Sequence, residues 1–114
     1  MAKKLDGKAA LITGGGTGTG RAIALALAGQ GAAVAVNYSR SRVDAERTVE
    51  ELTRLKVGCL AVRADVANDA EVREMVSRTI KELGRLDILV NCAGYTAAVL
   101  IKIDSNGLRS AIGI

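Results

Sequence analysis

Short apolar runs alternate with longer amphipathic stretches along this chain of 114 residues. Runs bounded by glycine or polar residues read as buried strands, and apolar residues at helical spacing read as one-sided helices. The first strand is predicted over Ala9-Ala10-Leu11-Ile12. A helix begins near Gly18 and runs through Ala28, with Gly29-Gln30-Gly31 as its C-cap and turn. Ala33-Val34-Ala35-Val36-Asn37-Tyr38 predicts a second strand. Ser41 is placed to cap a second helix, Asp44 reaching back in an approximate capping box, with Ala45, Val49 and Leu52 on the buried face. A third strand is expected from Val57 to Ala64. Asn68 or Asp69 then caps a third helix with an apolar stripe of Val72, Met75, Val76, Thr79, Ile80 and Leu83. Its other face carries Glu71, Arg73, Glu74, Arg78, Lys81 and Glu82, a solvated surface. Gly84 ends this helix, and Leu86 to Asn91 predicts a fourth strand.

Strands alternating with helices of this length imply βαβ units with right-handed crossovers. The expected fold class is α/β, a Rossmann-type doubly wound parallel sheet in the order 3-2-1-4 with flanking helices. Ligands in such sheets bind beyond the carboxyl ends of the strands, at the switch point between strands 1 and 4. The segment from Thr96 to Asp104 is apolar and β-prone, Ser105-Asn106-Gly107 reads as a turn, and Leu108 to Ile114 has no helical pattern. One expectation is that residues 97–103 pair with the free edge of strand 4, since a bare apolar edge invites pairing.

The junction between the first strand and first helix holds Thr13-Gly14-Gly15-Gly16-Thr17-Gly18-Thr19-Gly20. Glycines let the backbone turn tightly and approach a ligand, and the first helical N–H groups favour a phosphate. The triphosphatase loop fits from Gly15 to Gly20, but Arg21 and Ala22 stand where Lys and Ser/Thr are required. The common Gly-x-Gly-x-x-Gly fingerprint meets Thr19 from Gly14 and Arg21 from Gly16, so it fails as well. Thr-Gly-x-x-x-Gly-x-Gly fits, on Thr13, Gly14, Gly18 and Gly20. On these residues the chain resembles the short-chain dehydrogenase/reductase family, over residues 5 to about 95.

The resemblance implies a dinucleotide cofactor held by Gly14, Gly16, Thr17, Gly18, Thr19 and Gly20. An NAD-binding domain places an acid near the end of strand 2 for the ribose 2′-hydroxyl. Here Asn37-Tyr38-Ser39-Arg40 occupies that place with no acid before Asp44, and Arg40 with Ser39 can take a 2′-phosphate through charge-assisted hydrogen bonds. NADP(H) is therefore favoured over NAD(H), with Thr17 within reach of the same phosphate. Arg42 reads as a solvated residue opening the helix. Asp65-Val66 after strand 3 has two readings of equal weight, a partner for the adenine amino group as in the family, or an Asx turn into the third helix. Asn91-Cys92-Ala93-Gly94 resembles the family's Asn-Asn-Ala-Gly segment. Asn91, Ala93 and Gly94 match and are expected to line the cofactor ribose, while Cys92 replaces the second Asn and reads as packing.

The family's hydride transfer between the nicotinamide and a carbonyl or alcohol depends on a Ser and a Tyr-x-x-x-Lys. Four residues after Tyr38 stands Arg42, and four after Tyr95 stands Val99, so no catalytic residue carries over. The expected division is a cofactor-binding half-domain over 1–95 and a divergent apolar tail over 96–114, with the catalytic half absent from this chain. A non-catalytic dinucleotide-binding or interaction module is the competing reading.

Composition narrows the partners. Hydrophobic residues make up 49% and charged residues 25%, enough for a core in an ordinary soluble domain. There is no histidine, which removes histidine acid–base chemistry and histidine metal ligation. Cys59 and Cys92 fall on strands too far apart for a disulfide and form no zinc pattern, so reduced thiols in the cytoplasm are expected. The net charge of +4 is mild and the only aromatic residues are two tyrosines, so no nucleic-acid partner is expected. No apolar run approaches the ~20 residues of a membrane span. Substrate and oligomeric state are left open.

Overall fold

A computed structural model describes residues 3–92 in full and the backbone of residues 99–104 and 107–113. The elements in chain order are β1 (Ala9–Thr13), α1 (Gly18–Gly29), β2 (Ala33–Tyr38), α2 (Arg42–Arg54), β3 (Cys59–Arg63), α3 (Asp69–Leu83), β4 (Ile88–Asn91), β5 (Val99–Asp104) and β6 (Gly107–Gly113). They form one sheet in the order β3-β2-β1-β4-β5-β6. The first four strands pair in parallel, in the expected 3-2-1-4 arrangement, with Ala9 opposite Ala33 and Thr13 opposite Asn91.

The central strand is buried along its whole length because helices cover both faces of a parallel sheet. Successive side chains point to opposite faces, so each strand feeds two cores. Ile12, Val34 and Val36 pack with Ala24 and Ala28 of α1 and Ala45 and Leu52 of α2. Leu11, Ala35 and Val62 pack with Met75 of α3 and with Leu86. On α1 the buried positions are Gly20, Ala24 and Ala28, a row of small residues that brings the helix close to the sheet.

Two local expectations need correction, and one open choice is decided. Ser41 precedes α2, but its side chain makes no capping hydrogen bond; its φ of −88° and ψ of 63° lie outside the extended geometry that turns a cap side chain back on the helix. Asn68, not Asp69, caps α3, with Oδ1 accepting from the Glu71 N–H at 3.1 Å. The α3 stripe is also narrower than its periodicity implies: Met75 and Thr79 are buried, whereas Ile80 is 44% exposed at the rim. Gly84 ends α3 in the left-handed region at φ 85°, where a side chain would be strained.

Beyond β4 the chain runs antiparallel. β5 pairs with β4, placing Ile88 opposite Lys102 and Asn91 opposite Val99, and β6 pairs with β5. The pairing segment thus spans Val99–Asp104, while residues 97, 98, 105 and 106 lie outside the described residues. Cys59 and Cys92 are both free thiols. No helix among the described residues is long and apolar enough to cross a membrane.

Candidate cofactor-binding site

The carboxyl ends of β1, β2 and β3 open on a cleft of about 430 Å³. Its walls bring together Gly14, Gly16 and Thr17 after β1, Ser39 and Arg40 after β2, and Asp65 and Val66 after β3. Seven residues singled out from the sequence therefore meet in one crevice, drawn from three separate loops. Asn37, Tyr38, Ser41 and Ala64 complete the lining and were not anticipated as site residues.

The glycine loop has its shape for two physical reasons. Gly14 and Gly18 adopt positive φ of 66° and 53°, a region that L side chains rarely enter. At Gly20 a Cβ would collide with the carbonyl oxygen of Gly14, so only glycine lets α1 start directly against the loop. α2 closes the loop from the other side: a Cβ on Gly16 would lie 2.9 Å from the Ala45 nitrogen. The buried Thr48 hydroxyl lies 3.2 Å from the Gly16 carbonyl and 3.1 Å from that of Asp44, donating its single hydrogen between them.

Thr17 stands at the N-cap of α1 in extended conformation and its side chain makes no capping bond. No acidic residue occupies the first turn of α1, so the positive end of the helix is not neutralised locally. Gly18 and Thr19 form that first turn, and Gly20 lies buried beneath it. Gly16, Thr17 and Gly18 also line a smaller depression with Arg21, Asp44, Arg47 and Glu51, between α1 and α2, where Arg21 and Glu51 form an ion pair. Asp44, the nearest acid after β2, does not line the cleft but borders this depression, which adjoins the cleft at Gly16 and Thr17.

Arg40 has no ion-pair partner among the described residues. Arg42 differs: its guanidinium bonds Glu46 at 2.8 Å, an exposed pair one turn apart that raises its pKa and fits the solvated reading. Asp65 Oδ1 accepts from the Ala67 N–H at 2.9 Å, an Asx turn leading into α3. Asp65 also lines the cleft. Val66 is 40% exposed beside it.

At the switch point, Thr13 Oγ1 donates to Asn91 Oδ1 at 2.7 Å and accepts from the Cys92 N–H at 3.0 Å, locking the ends of β1 and β4 together. Asn91 lies on the far side of β1 from the cleft and does not line it. Burial pushes the Cys92 thiol up, away from the reactive thiolate, and Cys92 packs against the core beneath α1. Ala93 and Gly94 lie outside the described residues. No group of three or more potential ligand side chains among the described residues could hold a metal ion.

Asn37 is the residue that the sequence signalled most faintly. It is 2% exposed, and a polar side chain so deep must find partners. It stands one residue from the end of β2, in an otherwise apolar run. That break in the pattern was the available signal.

Comparison with known proteins agrees with this geometry. The short chain dehydrogenase family matches residues 8–111. The short-chain dehydrogenase/reductase homolog YusS of Bacillus subtilis is 47% identical over 89 residues, covering 78% of this chain and 82% of that protein. General stress protein 39 of the same organism is 48% identical over 93 residues, covering 82% of this chain and 32% of its own length. A short chain dehydrogenase from Burkholderia cenocepacia, solved in complex with NADP, superposes with a TM-score of 0.78 at 44% identity, over 81% of this chain and 38% of that one. The chain thus spans most of one short relative and about a third of longer ones. With a glycine loop of this spacing on a 3-2-1-4 sheet and a family match across nearly its whole length, the chain belongs to the short-chain dehydrogenase/reductase family.

Proposed function

We propose that the cleft holds a nicotinamide dinucleotide, with NADP(H) preferred over NAD(H). The observation that carries this reading is Arg40, a cation without an ion-pair partner among the described residues, lining the cleft beside Thr17 and Ser39. A 2′-phosphate there gains charge-assisted hydrogen bonds, and no carboxylate at the end of β2 lines the cleft to oppose it. The pyrophosphate lies over Gly14, Gly16, Gly18, Thr19 and Gly20, where the N–H groups and dipole of α1 favour negative charge. Asp65 and Val66 flank the adenine, and Asn91, Ala93 and Gly94 serve the ribose side of the switch point. The NADP complex of the Burkholderia relative supports the cofactor class.

The bound cofactor would supply hydride chemistry, exchanging a hydride with a carbonyl or alcohol. This chain's own residues bind and orient it; none matches the proton-transferring Tyr-x-x-x-Lys, so turnover is proposed only for a longer chain that carries one. A second reading, a dinucleotide-holding module without turnover, draws on the Bacillus relative matched over 82% of its length. Cytoplasmic location is proposed on the two free thiols. Titrating the full chain with NADPH and NADH, following nicotinamide fluorescence, tests the first reading: NADPH should bind at least about tenfold more tightly. Equal affinities would remove the preference, and no binding of either would remove the site. Carbonyl reduction by the chain alone would count against the module.

A further inference from the structure

Asn37 hydrogen-bonds to two walls of the cleft, the glycine loop after β1 and the end of β3. Its Nδ2 donates toward the carbonyls of Ala64 at 3.1 Å, Val62 at 3.3 Å and Tyr38 at 3.3 Å. Three acceptors on one side fix which way the amide faces, so Oδ1 turns to the loop and accepts from the Gly14 N–H at 3.3 Å. The Asn37 main-chain carbonyl takes the next donor, the Gly15 N–H, at 3.1 Å. One buried residue therefore holds two consecutive N–H groups of the glycine loop from β2 and ties them to the carbonyls that lead into Asp65.

We infer that Asn37 is the positioning residue of the cofactor cleft, its side-chain amide setting the glycine loop against the end of β3. The inference rests on the cleft being the dinucleotide site. It assigns Asn37 no contact with the cofactor: it acts through Gly14 on the pyrophosphate side and through Ala64 on the adenosine side. The amide is required because the position needs a donor at one end and an acceptor at the other. A carboxylate would set a negative oxygen against three carbonyls in a place closed to water, and only its protonated form restores a donor. An aspartate here should therefore work in acid and fail at neutral pH. The titratable or charged groups lining the cleft are Arg40 after β2, Asp65 after β3 and the neighbouring Tyr38, with the Arg63–Glu71 ion pair of β3 and α3 beside Asp65, while the loop after β1 brings none. The chain has no histidine, the side chain that ordinarily titrates between these conditions, so the background is quiet.

The test uses the full chain as wild type, Asn37→Asp and Asn37→Ser, with NADP⁺ binding followed by calorimetry at pH 5.5 and pH 8. Each variant's Kd is divided by the wild-type Kd at the same pH, which cancels the second ionisation of the 2′-phosphate near pH 6. For Asn37→Asp the ratio should be roughly tenfold or more at pH 8 and fall to within about threefold at pH 5.5. For Asn37→Ser it should be raised equally at both. Hydrogen exchange of the Gly14 amide in the free protein gives a readout independent of the cofactor, and should be about tenfold faster in Asn37→Ser than in wild type. A pH-independent ratio for Asn37→Asp, or unchanged Gly14 exchange in Asn37→Ser, overturns the inference. If Asn37→Asp is unfolded at pH 8 by circular dichroism, Asn37→Ser decides by the same exchange rate and Kd ratio. A wild type that binds no dinucleotide overturns the proposed function instead, and Gly14 exchange still decides whether Asn37 holds the loop.

Discussion

Burial opposes the ionisation of Asp87, but hydrogen bonds from Arg85 and the Ala9 N–H, with the charges of Arg85 and Lys8, outweigh it and hold the carboxyl below its ordinary value. The Arg85 guanidinium grips both carboxylate oxygens at 2.7 Å, and the Ala9 N–H reaches Oδ2 at 2.9 Å across the start of β1. A depressed carboxylate pKa means the native state holds the anion more strongly than the unfolded chain does. That stability is present above the ordinary carboxylate range and is lost as pH falls through the lowered native value. Asp87→Asn should cost about 1–2 kcal/mol at pH 7 and flatten the decline between about pH 5 and pH 2, as measured by urea denaturation across pH. An unchanged acid limb would show that Asp87 does not contribute it. Arg40 carries the specificity prediction: Arg40→Ala should weaken NADP⁺ roughly 10- to 100-fold and leave NAD⁺ nearly unchanged in paired titrations. Arg40 and the glycines were legible because their signal is local, a few residues of fixed spacing. Asn37 and Thr48 were not, because the loop groups they bond lie 23 and 32 residues away along the chain and come within reach only once β2 and α2 are folded against the loop.

The helices act on the site through the glycine loop. α1 abuts Gly14 through Gly20, and α2 abuts Gly16 through Ala45 and Thr48, so both helices are set by backbone contact. Gly20→Ala should therefore destabilise by about 1–3 kcal/mol, with a lower urea midpoint, because a methyl there must push α1 off the loop. A variant as stable as wild type would mean the helix can shift freely. Periodicity located α1, α2 and α3 but not their details. Ile80 sits at helical spacing yet is 44% exposed, since the buried face of α3 is centred on Met75 and Thr79. Ser41 has the right identity for a cap, but the turn after β2 leaves its backbone outside cap geometry, whereas Asn68 enters α3 in extended form and caps. Identity proposes a cap, and the incoming backbone decides it.

Across the whole molecule, the 3-2-1-4 order followed from alternating strands and helices with right-handed crossovers. The antiparallel β5–β6 hairpin was only half legible: the β-prone run after Thr96 suggested a strand against β4, but nothing in its pattern announced β6. Hydrogen exchange should find the β5 amides that bond to β4 protected along with the β4 partners; exchange at open-chain rates would contradict this pairing. The sheet gathers the ends of β1, β2 and β3 at one rim, and the central claim is that this rim holds NADP(H). Its most direct test is two-dimensional NMR of the ¹⁵N-labelled chain during titration with NADP⁺. The amides of Gly14, Gly16 to Gly20, Ser39, Arg40, Asp65 and Val66 should shift together and saturate with a single Kd. Shifts centred elsewhere, or none at millimolar NADP⁺, would contradict it.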